Sequence, residues 1–340
     1  MSQNLTVAVA GATGAVGRAM LSILAQRQFP LSQLVPLASA RSAGQTLTYG
    51  DQTLTVQDLA TYDFTSTDLG LFSAGGSVSA KYAPKAAAAG CVVVDNTSEF
   101  RYRDDVPLVV AEVNPHALAR YRDTGIVANP NCSTMQLMVA LAPIHRQFGI
   151  TRINIATYQS VSGAGQQGID ELTDQTQQVS QGQSVTPAKF GDQIAFNVVP
   201  HIDDFQDNGF TREEMKLVWE TQKILEDDTI GVNPTAVRVP VFYGHAEAVH
   251  LETREPATVE QVQDLMRSSP GVTLMDEARS GGYPTPATHA AGHDDVFVGR
   301  IRKDLTHPTG MNLWVVSDNV RKGAALNTVQ LAELLVKSHL

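Results

Sequence analysis

The stretch Leu5-Thr-Val-Ala-Val-Ala-Gly11-Ala-Thr-Gly14-Ala-Val-Gly17 decides the fold. Leu5–Ala10 is a short apolar run and reads as a strand, and Val16–Arg27 has helical periodicity. Three glycines lie between them. A glycine turn that closes a strand and opens a helix suits a nucleotide: the backbone can approach a pyrophosphate, and the helix N-terminus supplies N–H groups and the positive end of its dipole. The spacing is GxxGxxG rather than GxGxxG, and a tight β–α turn with no ligand is the alternative.

Beyond this unit, Leu34–Ala38, Leu69–Ser73, Cys91–Asp95 and Leu108–Val113 read as strands and Ala80–Ala89 as a helix. Short strands alternating with helices imply a parallel sheet of the Rossmann type. From about Thr134 the pattern changes. Met135–Ile144 is apolar on nearly all sides, as a helix buried between layers would be. Arg152–Tyr158, Ala195–Val199, Ala236–Tyr243, Val296–Ile301 and Asn312–Val316 read as strands. Thr211–Leu225 and Val259–Arg267 read as helices, and Gly182–Gly191 as a loop. The expected organisation is a dinucleotide-binding domain over 1–131, to which 320–340 returns, and an α+β domain over 132–319 on a mixed or antiparallel sheet. The helix expected near Gly323–Ser338 could pack on either domain.

The bulk numbers exclude several classes. The chain has 340 residues, enough for about two domains. Its net charge is −10 and no Lys/Arg run occurs, which disfavours nucleic acid as a partner. No stretch has the roughly 18 apolar residues of a membrane helix, and the polar start has no basic region typical of a signal peptide. Two cysteines far apart, Cys91 and Cys132, make a disulfide scaffold untenable and suggest a cytoplasmic setting. Nine histidines show no zinc-site spacing with them, so no metal is expected.

Two further segments carry chemistry. The second strand ends in Ala38-Ser39-Ala40-Arg41-Ser42, where an NAD enzyme would place an acid for the ribose hydroxyls. An arginine between Ser39 and Ser42 suits a 2′-phosphate, so NADP is favoured, although Arg41 alone could be a solvated loop charge. Asn129-Pro-Asn131-Cys132-Ser-Thr134 stands just before the buried helix. A cysteine there feels the helix dipole, which favours the thiolate; an inert packed thiol is the alternative, as Cys91 in Cys91-Val-Val-Val suggests. A nucleotide loop together with a poised cysteine points to aldehyde oxidation through a thiohemiacetal and a thioester.

Asn129–Thr134, Tyr158-Gln-Ser-Val-Ser-Gly-Ala-Gly165, Glu213-Glu-Met-Lys216, Arg238-Val-Pro-Val-Phe-Tyr-Gly-His245 and Asp318-Asn319 together are similar, in order and spacing, to the aspartate-semialdehyde dehydrogenase family. The resemblance runs from Val7 to about Leu335. It implies NADPH-dependent reduction of β-aspartyl phosphate to the semialdehyde, by a homodimer joined through the second domain, in lysine (diaminopimelate), threonine and methionine synthesis. By the same likeness Cys132 is the nucleophile, Gln159 holds the intermediate, and His245 is the base that takes a proton from the thiohemiacetal. Arg238 binds the α-carboxylate and Glu213 meets the ammonium group. Arg101, Asn131 and Lys216 take phosphate. The loop from Gly11 (Thr13, Gly14, Ala15, Val16), with Ser39, Arg41, Ser42, Ser162, Gly163 and Asn319, takes NADP.

Bland readings stand beside these. Glu213, Lys216, Glu220 and Lys223 alternate in sign at helical spacing, as on a solvated helix face. Arg101 could belong to a surface loop, and His250 competes with His245. Arg238 and His245, seven residues apart, would point to opposite faces of one straight strand; Pro240 and Gly244 allow a bend or a strand end that lets them converge. Reduction of another acyl phosphate, such as N-acetylglutamyl phosphate, and a catalytically dead nucleotide-binding paralogue are the competing functions.

Overall fold

Thr6–Ala10 (β1) hydrogen-bonds in parallel to Gln33–Ala38 (β2) on one side and to Leu69–Phe72 (β6) on the other. This pairing appears in the computed structural model of the protein, which describes residues 5–338. The polar residues 1–4 and the last two, 339–340, lie outside the described residues. Ala15–Gln26 (α1) crosses from β1 to β2. A small antiparallel hairpin of Thr46–Tyr49 (β3) and Gln52–Thr55 (β4) follows, then the two-residue Gln57–Asp58 (β5). Gly76–Ala88 (α2) leads to Val92–Asp95 (β7), and Ile126–Ala128 (β8) closes the sheet. The order is β5-β2-β1-β6-β7-β8, every pairing parallel. The β strands read as near-continuous apolar runs because both faces of such a sheet are covered. Leu108–Val113 is not a strand: only Leu108 bridges to Ala128, and the sheet edge is taken by β8.

The second unit spans Cys132–Gly323. It opens with Cys132–Phe148 (α3), then Ile150–Gln159 (β9), Gln166–Ser180 (α4) and Arg212–Leu225 (α5). Gly231–Arg238 (β10), His245–Thr253 (β11), Val259–Ser268 (α6), Val272–Leu274 (β12), Val296–Lys303 (β13) and Gly310–Ser317 (β14) complete it. Its sheet runs β10-β9-β11-β14-β13-β12 and is mixed: β10/β9 and β12/β13 are parallel, the others antiparallel. Helix α3 is apolar around its circumference because it packs on this sheet and on α5 and α6 at once. The first unit resumes at Ala324, where Asn327–Ser338 (α7) buries Val329, Leu331 and Leu335 in the same core as Val7, Met20 and Leu71.

Candidate active site

In the first unit, Gly11 has φ +86°, and a Cβ on it would lie 2.4 Å from the Ser73 carbonyl oxygen. A Cβ on Gly17 would lie 2.2 Å from the Gly11 oxygen. Packing alone therefore demands both glycines. Gly14 differs, since its Cβ would meet only the Gly11 oxygen, at 3.4 Å. Exposed with Ala15 at the start of α1, whose first turn has no acidic residue, it leaves the helix N-terminus open to an anion. The Thr13 carbonyl accepts from Arg18 Nε at 3.1 Å, and Val16 is half-buried. Ser39 and Arg41 are exposed in the turn after β2, and Ser42 is half-buried there. These residues fit a nucleotide carrying an extra phosphate. In the same unit Arg101 is buried and donates from Nη2 to the Asn96 carbonyl at 2.9 Å, which excludes a loose surface loop. Asn131 is buried too.

In the second unit the strand ends collect the other residues. Arg238 ends β10 and pairs with Gln159, which ends β9. His245 begins β11 on the far side of β9. Glu247 is opposite Thr157, so by two-residue alternation His245 shares the face of Gln159. Arg238 and His245 thus converge from different strands; residues 239–244 carry the chain between them, and the odd spacing imposes no divergence. His250 points to the other face, held by Asn154 at 3.2 Å and Asp304 at 2.6 Å.

Ser160 joins the pair. Its carbonyl accepts from Arg238 Nη1 at 2.7 Å, and its backbone N–H donates to His245 Nδ1 at 3.1 Å. Burial, then the Arg238 charge, lowers the His245 pKa to about 3, against the smaller pull of Glu213 and the Gly244 carbonyl. Its ring is neutral at ordinary pH. Burial also lowers Arg238, opposed by Glu213 and Cys132, but a guanidinium keeps its charge. Gly163 lies against both residues: a Cβ would come 2.9 Å from Arg238 Nη1 and 3.3 Å from His245 Nε2. Asn319 Oδ1 accepts from Ser160 Oγ, Ser162 Oγ and the Gly244 N–H at 3.0, 3.1 and 2.9 Å. Ser162 and Asn319 therefore shape the turn around the histidine.

Glu213 is far from a solvated face. It is 5% exposed and accepts from Gln159 Nε2 at 3.1 Å and Lys216 Nζ at 2.9 Å. Lys216 also reaches Asp203 at 2.7 Å. Burial would pull its ammonium pKa down, but the two carboxylates outweigh burial and raise it. Glu220 on the same helix is buried as well. A capping box positions α5: Thr211 Oγ1 accepts from the Glu214 N–H at 3.3 Å, and Glu214 Oε2 from the Thr211 N–H at 2.7 Å. Glu214 Oε1 then ties the helix to β10 through the Ala236 N–H at 2.9 Å.

Cys132 is half-buried at the first position of α3, where the helix dipole favours a thiolate. Cys91 is buried and inert, its thiol pushed up to about 12 by burial and Asp68. Sequence reasoning missed Asp203, Ser160 and Gly323. Asp203 has φ +69° in an irregular segment, and Gly323 only looks like a helix start until its contact with Cys132 is seen. Among the described residues no group of His, Cys, Asp and Glu could hold a metal ion.

The arrangement places a thiol at a helix start and, at the strand ends of the same unit, a buried arginine and a neutral imidazole, groups suited to acyl transfer through sulfur beside an anion. Comparison with known proteins identifies the family. Residues 6–121 match the family described as semialdehyde dehydrogenase, NAD binding domain, and 141–322 that described as semialdehyde dehydrogenase, dimerisation domain. An aspartate-semialdehyde dehydrogenase of Legionella pneumophila is 58% identical over 100% of this chain and 98% of its own. A crystal structure of aspartate semialdehyde dehydrogenase II from Vibrio cholerae, complexed with ASA, is 56% identical with TM-score 0.97, covering 99% of this chain and 100% of that one. The Candida albicans enzyme, solved with NADP, is 26% identical with TM-score 0.75, over 98% of both chains.

Proposed function

This chain belongs to the aspartate-semialdehyde dehydrogenase family, and we propose that it reduces β-aspartyl phosphate to L-aspartate-β-semialdehyde with NADPH, releasing phosphate, through a thioester on Cys132. It is an oxidoreductase with a nicotinamide-nucleotide domain. The single observation that carries the site reading is the gathering of Arg238, Gln159 and His245 on adjacent strand ends with Glu213 beside them, in the unit that opens on Cys132.

Cys132 sulfur adds to the acyl carbon, and loss of phosphate leaves the thioester. Arg238 takes the α-carboxylate, for which a guanidinium fork is shaped. Glu213 meets the α-ammonium group, and Gln159, already bonded to Glu213, orients the acyl chain. His245 meets the acyl oxygen through Nε2. Arg101, Asn131 and Lys216 form the phosphate-binding set; Lys216 is shared by two carboxylates, Asp203 and Glu213. Gly11 to Val16 hold the pyrophosphate of the cofactor, Ser39, Arg41 and Ser42 its 2′-phosphate, and Ser162, Gly163 and Asn319 its nicotinamide end. When bound, the nicotinamide supplies hydride to the thioester carbon.

The protein works as a homodimer through its second domain, in the cytoplasm, on the route to lysine, threonine and methionine. The match to a dimerisation domain supports the dimer, as do the exposed Tyr158 and the Trp314 ring 5.6 Å from it. No helix among the described residues is long and apolar enough to cross a membrane. An N-acylated substrate such as N-acetylglutamyl phosphate would present no ammonium to Glu213. The test is phosphate-dependent NADP⁺ reduction with L-aspartate-β-semialdehyde, beside Cys132→Ser. Activity that vanishes in the variant is expected; no turnover by folded wild type would overturn the substrate.

A further inference from the structure

We infer that Phe190 is a positioning residue: its ring backs the Arg238 guanidinium and holds the unmet side of that fork ready for the substrate's α-carboxylate. The inference rests on the carboxylate-binding role proposed for Arg238 above and names what keeps that arginine in place.

Phe190 belongs to the segment 182–191, which forms neither helix nor strand. Three contacts nevertheless fix it. Glu171 on α4 accepts from the backbone N–H groups of Ala188 and Lys189, at 3.0 and 2.5 Å. The Phe190 ring packs against the buried cluster that includes Val161 and Leu172. Gly168 leaves room for it, since a Cβ there would stand 3.0 Å from Phe190 Cζ. An irregular segment therefore presents one aromatic side chain in a set place.

Arg238 Cζ lies over that ring, 5.7 Å from its centroid. A guanidinium within about 6 Å of an aromatic ring is attracted by the ring quadrupole, more strongly once the pair is out of water, and Arg238 is buried. Two other groups bound the same cation. Its Nη1 donates to the Ser160 carbonyl at 2.7 Å, and a Cβ on Gly163 would come 2.9 Å from Nη1. Those contacts occupy one corner of the fork.

Nε, away from that corner, is buried and has no hydrogen-bond partner among the described residues. Nε–H and the Nη2–H beside it are parallel donors, the pair that a carboxylate accepts side-on. A buried donor without an acceptor is costly, so the unmet Nε points to an acceptor that arrives with the substrate. The ring steadies the charge without competing for Nε, because it offers a π-face and no oxygen. Moving the guanidinium would lose the Ser160 bond and the ring contact together. The α-carboxylate does not itself react, so this contact acts on binding, and its loss falls on KM rather than kcat.

Phe190→Ala, Phe190→Leu and Phe190→Tyr in the full chain test this by steady-state oxidation of L-aspartate-β-semialdehyde with NADP⁺ and phosphate. Loss of a desolvated cation–π contact is on the order of 10-fold. KM for the semialdehyde should rise by about that much in Phe190→Ala and in Phe190→Leu, which fills apolar space without a π-face, while kcat stays within about twofold. Phe190→Tyr should remain near wild type. A wild-type KM in Phe190→Leu would show that the residue only fills space. A loss confined to kcat would show that it does not act through the carboxylate, and either result would overturn the inference. Phenylglyoxal modification of Arg238, located on its peptide, gives a readout without turnover. It should be several-fold faster in Phe190→Leu than in Phe190→Tyr; equal rates would overturn the contact. Failure of the aspartate-semialdehyde reading would show separately, as absent turnover by wild type, while the labelling still reports on Phe190.

Discussion

Gly323 is packed so closely on Cys132 that a Cβ added to it would come 2.7 Å from the Cys132 Cβ and 3.2 Å from its Cα. The Cys132 Cβ is fixed by the backbone of the first turn of α3, which is itself within 3.2 Å, and neither can swing aside as a side-chain tip could. Gly323→Ala should therefore shift the sulfur. A misplacement of about 1 Å at a reacting atom costs on the order of 100-fold, and we expect kcat to fall by about that much, with iodoacetamide labelling of Cys132 slowed in parallel. Wild-type kinetics in a folded Gly323→Ala protein would mean that this contact does not position the nucleophile.

In the proposed function, Arg41 selects the phosphorylated cofactor. It is exposed after β2, at the place where an acid would select NAD, and no other part of the first unit's turn offers a cation between two serines. Arg41→Ala should raise KM for NADP⁺ by about 10- to 100-fold, as for loss of a charge-assisted pair of about 1.5–3 kcal/mol. KM for NAD⁺ should change little. Steady-state kinetics with both cofactors decide it, and equal losses would contradict the assignment.

Glu247 gives a pH-dependent stability. It is fully buried on β11, where among the described residues its carboxyl oxygens lack a well-formed hydrogen bond; burial raises its pKa well above the usual range, opposed only by a weak hydrogen-bonding contact with the Gln136 amide. Because the folded-state value is the raised one, the stabilising difference is complete below the unfolded pKa of about 4.3 and is lost as pH rises toward the folded value. Glu247→Gln has no such proton to lose. Its Tm relative to wild type should therefore rise between pH 5 and pH 8 in thermal melts; a difference independent of pH would show that the carboxyl is not held neutral.

The first unit was legible because its signals are local. The β1–Gly11–α1 turn and its apolar strands, like the apolar circumference of α3 in the second unit, each follow from a contiguous run of residues. The errors lie where pairing is non-local. Leu108–Val113 is apolar because it is buried beside β8, with Leu108 bridging Ala128, yet its backbone turns away: the Asn114 side chain takes the Val110 N–H at 2.9 Å. Ala195–Val199 is apolar for its packing under α4, and only Val199 bridges to Arg238. The expected strand Ala236–Tyr243 overruns the end of β10 at Arg238; Pro240 and Gly244 mark a strand end there, the second of the two options they offer, and β11 begins at His245. In the site, residue types at motif positions were readable. The Glu213–Lys216 helix face was not, because its burial depends on Asp203 and Gln159, distant in sequence. Ser160 acts through its backbone, which no side-chain pattern records.

The thioester on Cys132 is tested most directly by a single-turnover experiment in which phosphate is withheld. L-Aspartate-β-semialdehyde and NADP⁺ are mixed with the full chain, NADPH formation is followed by absorbance, and the Cys132 peptide is then weighed. The expected result is a burst of NADPH that approaches one per active site, an aspartyl adduct on Cys132, and steady turnover once phosphate is added. A burst without any adduct on Cys132, or a burst that persists in Cys132→Ser, would contradict it.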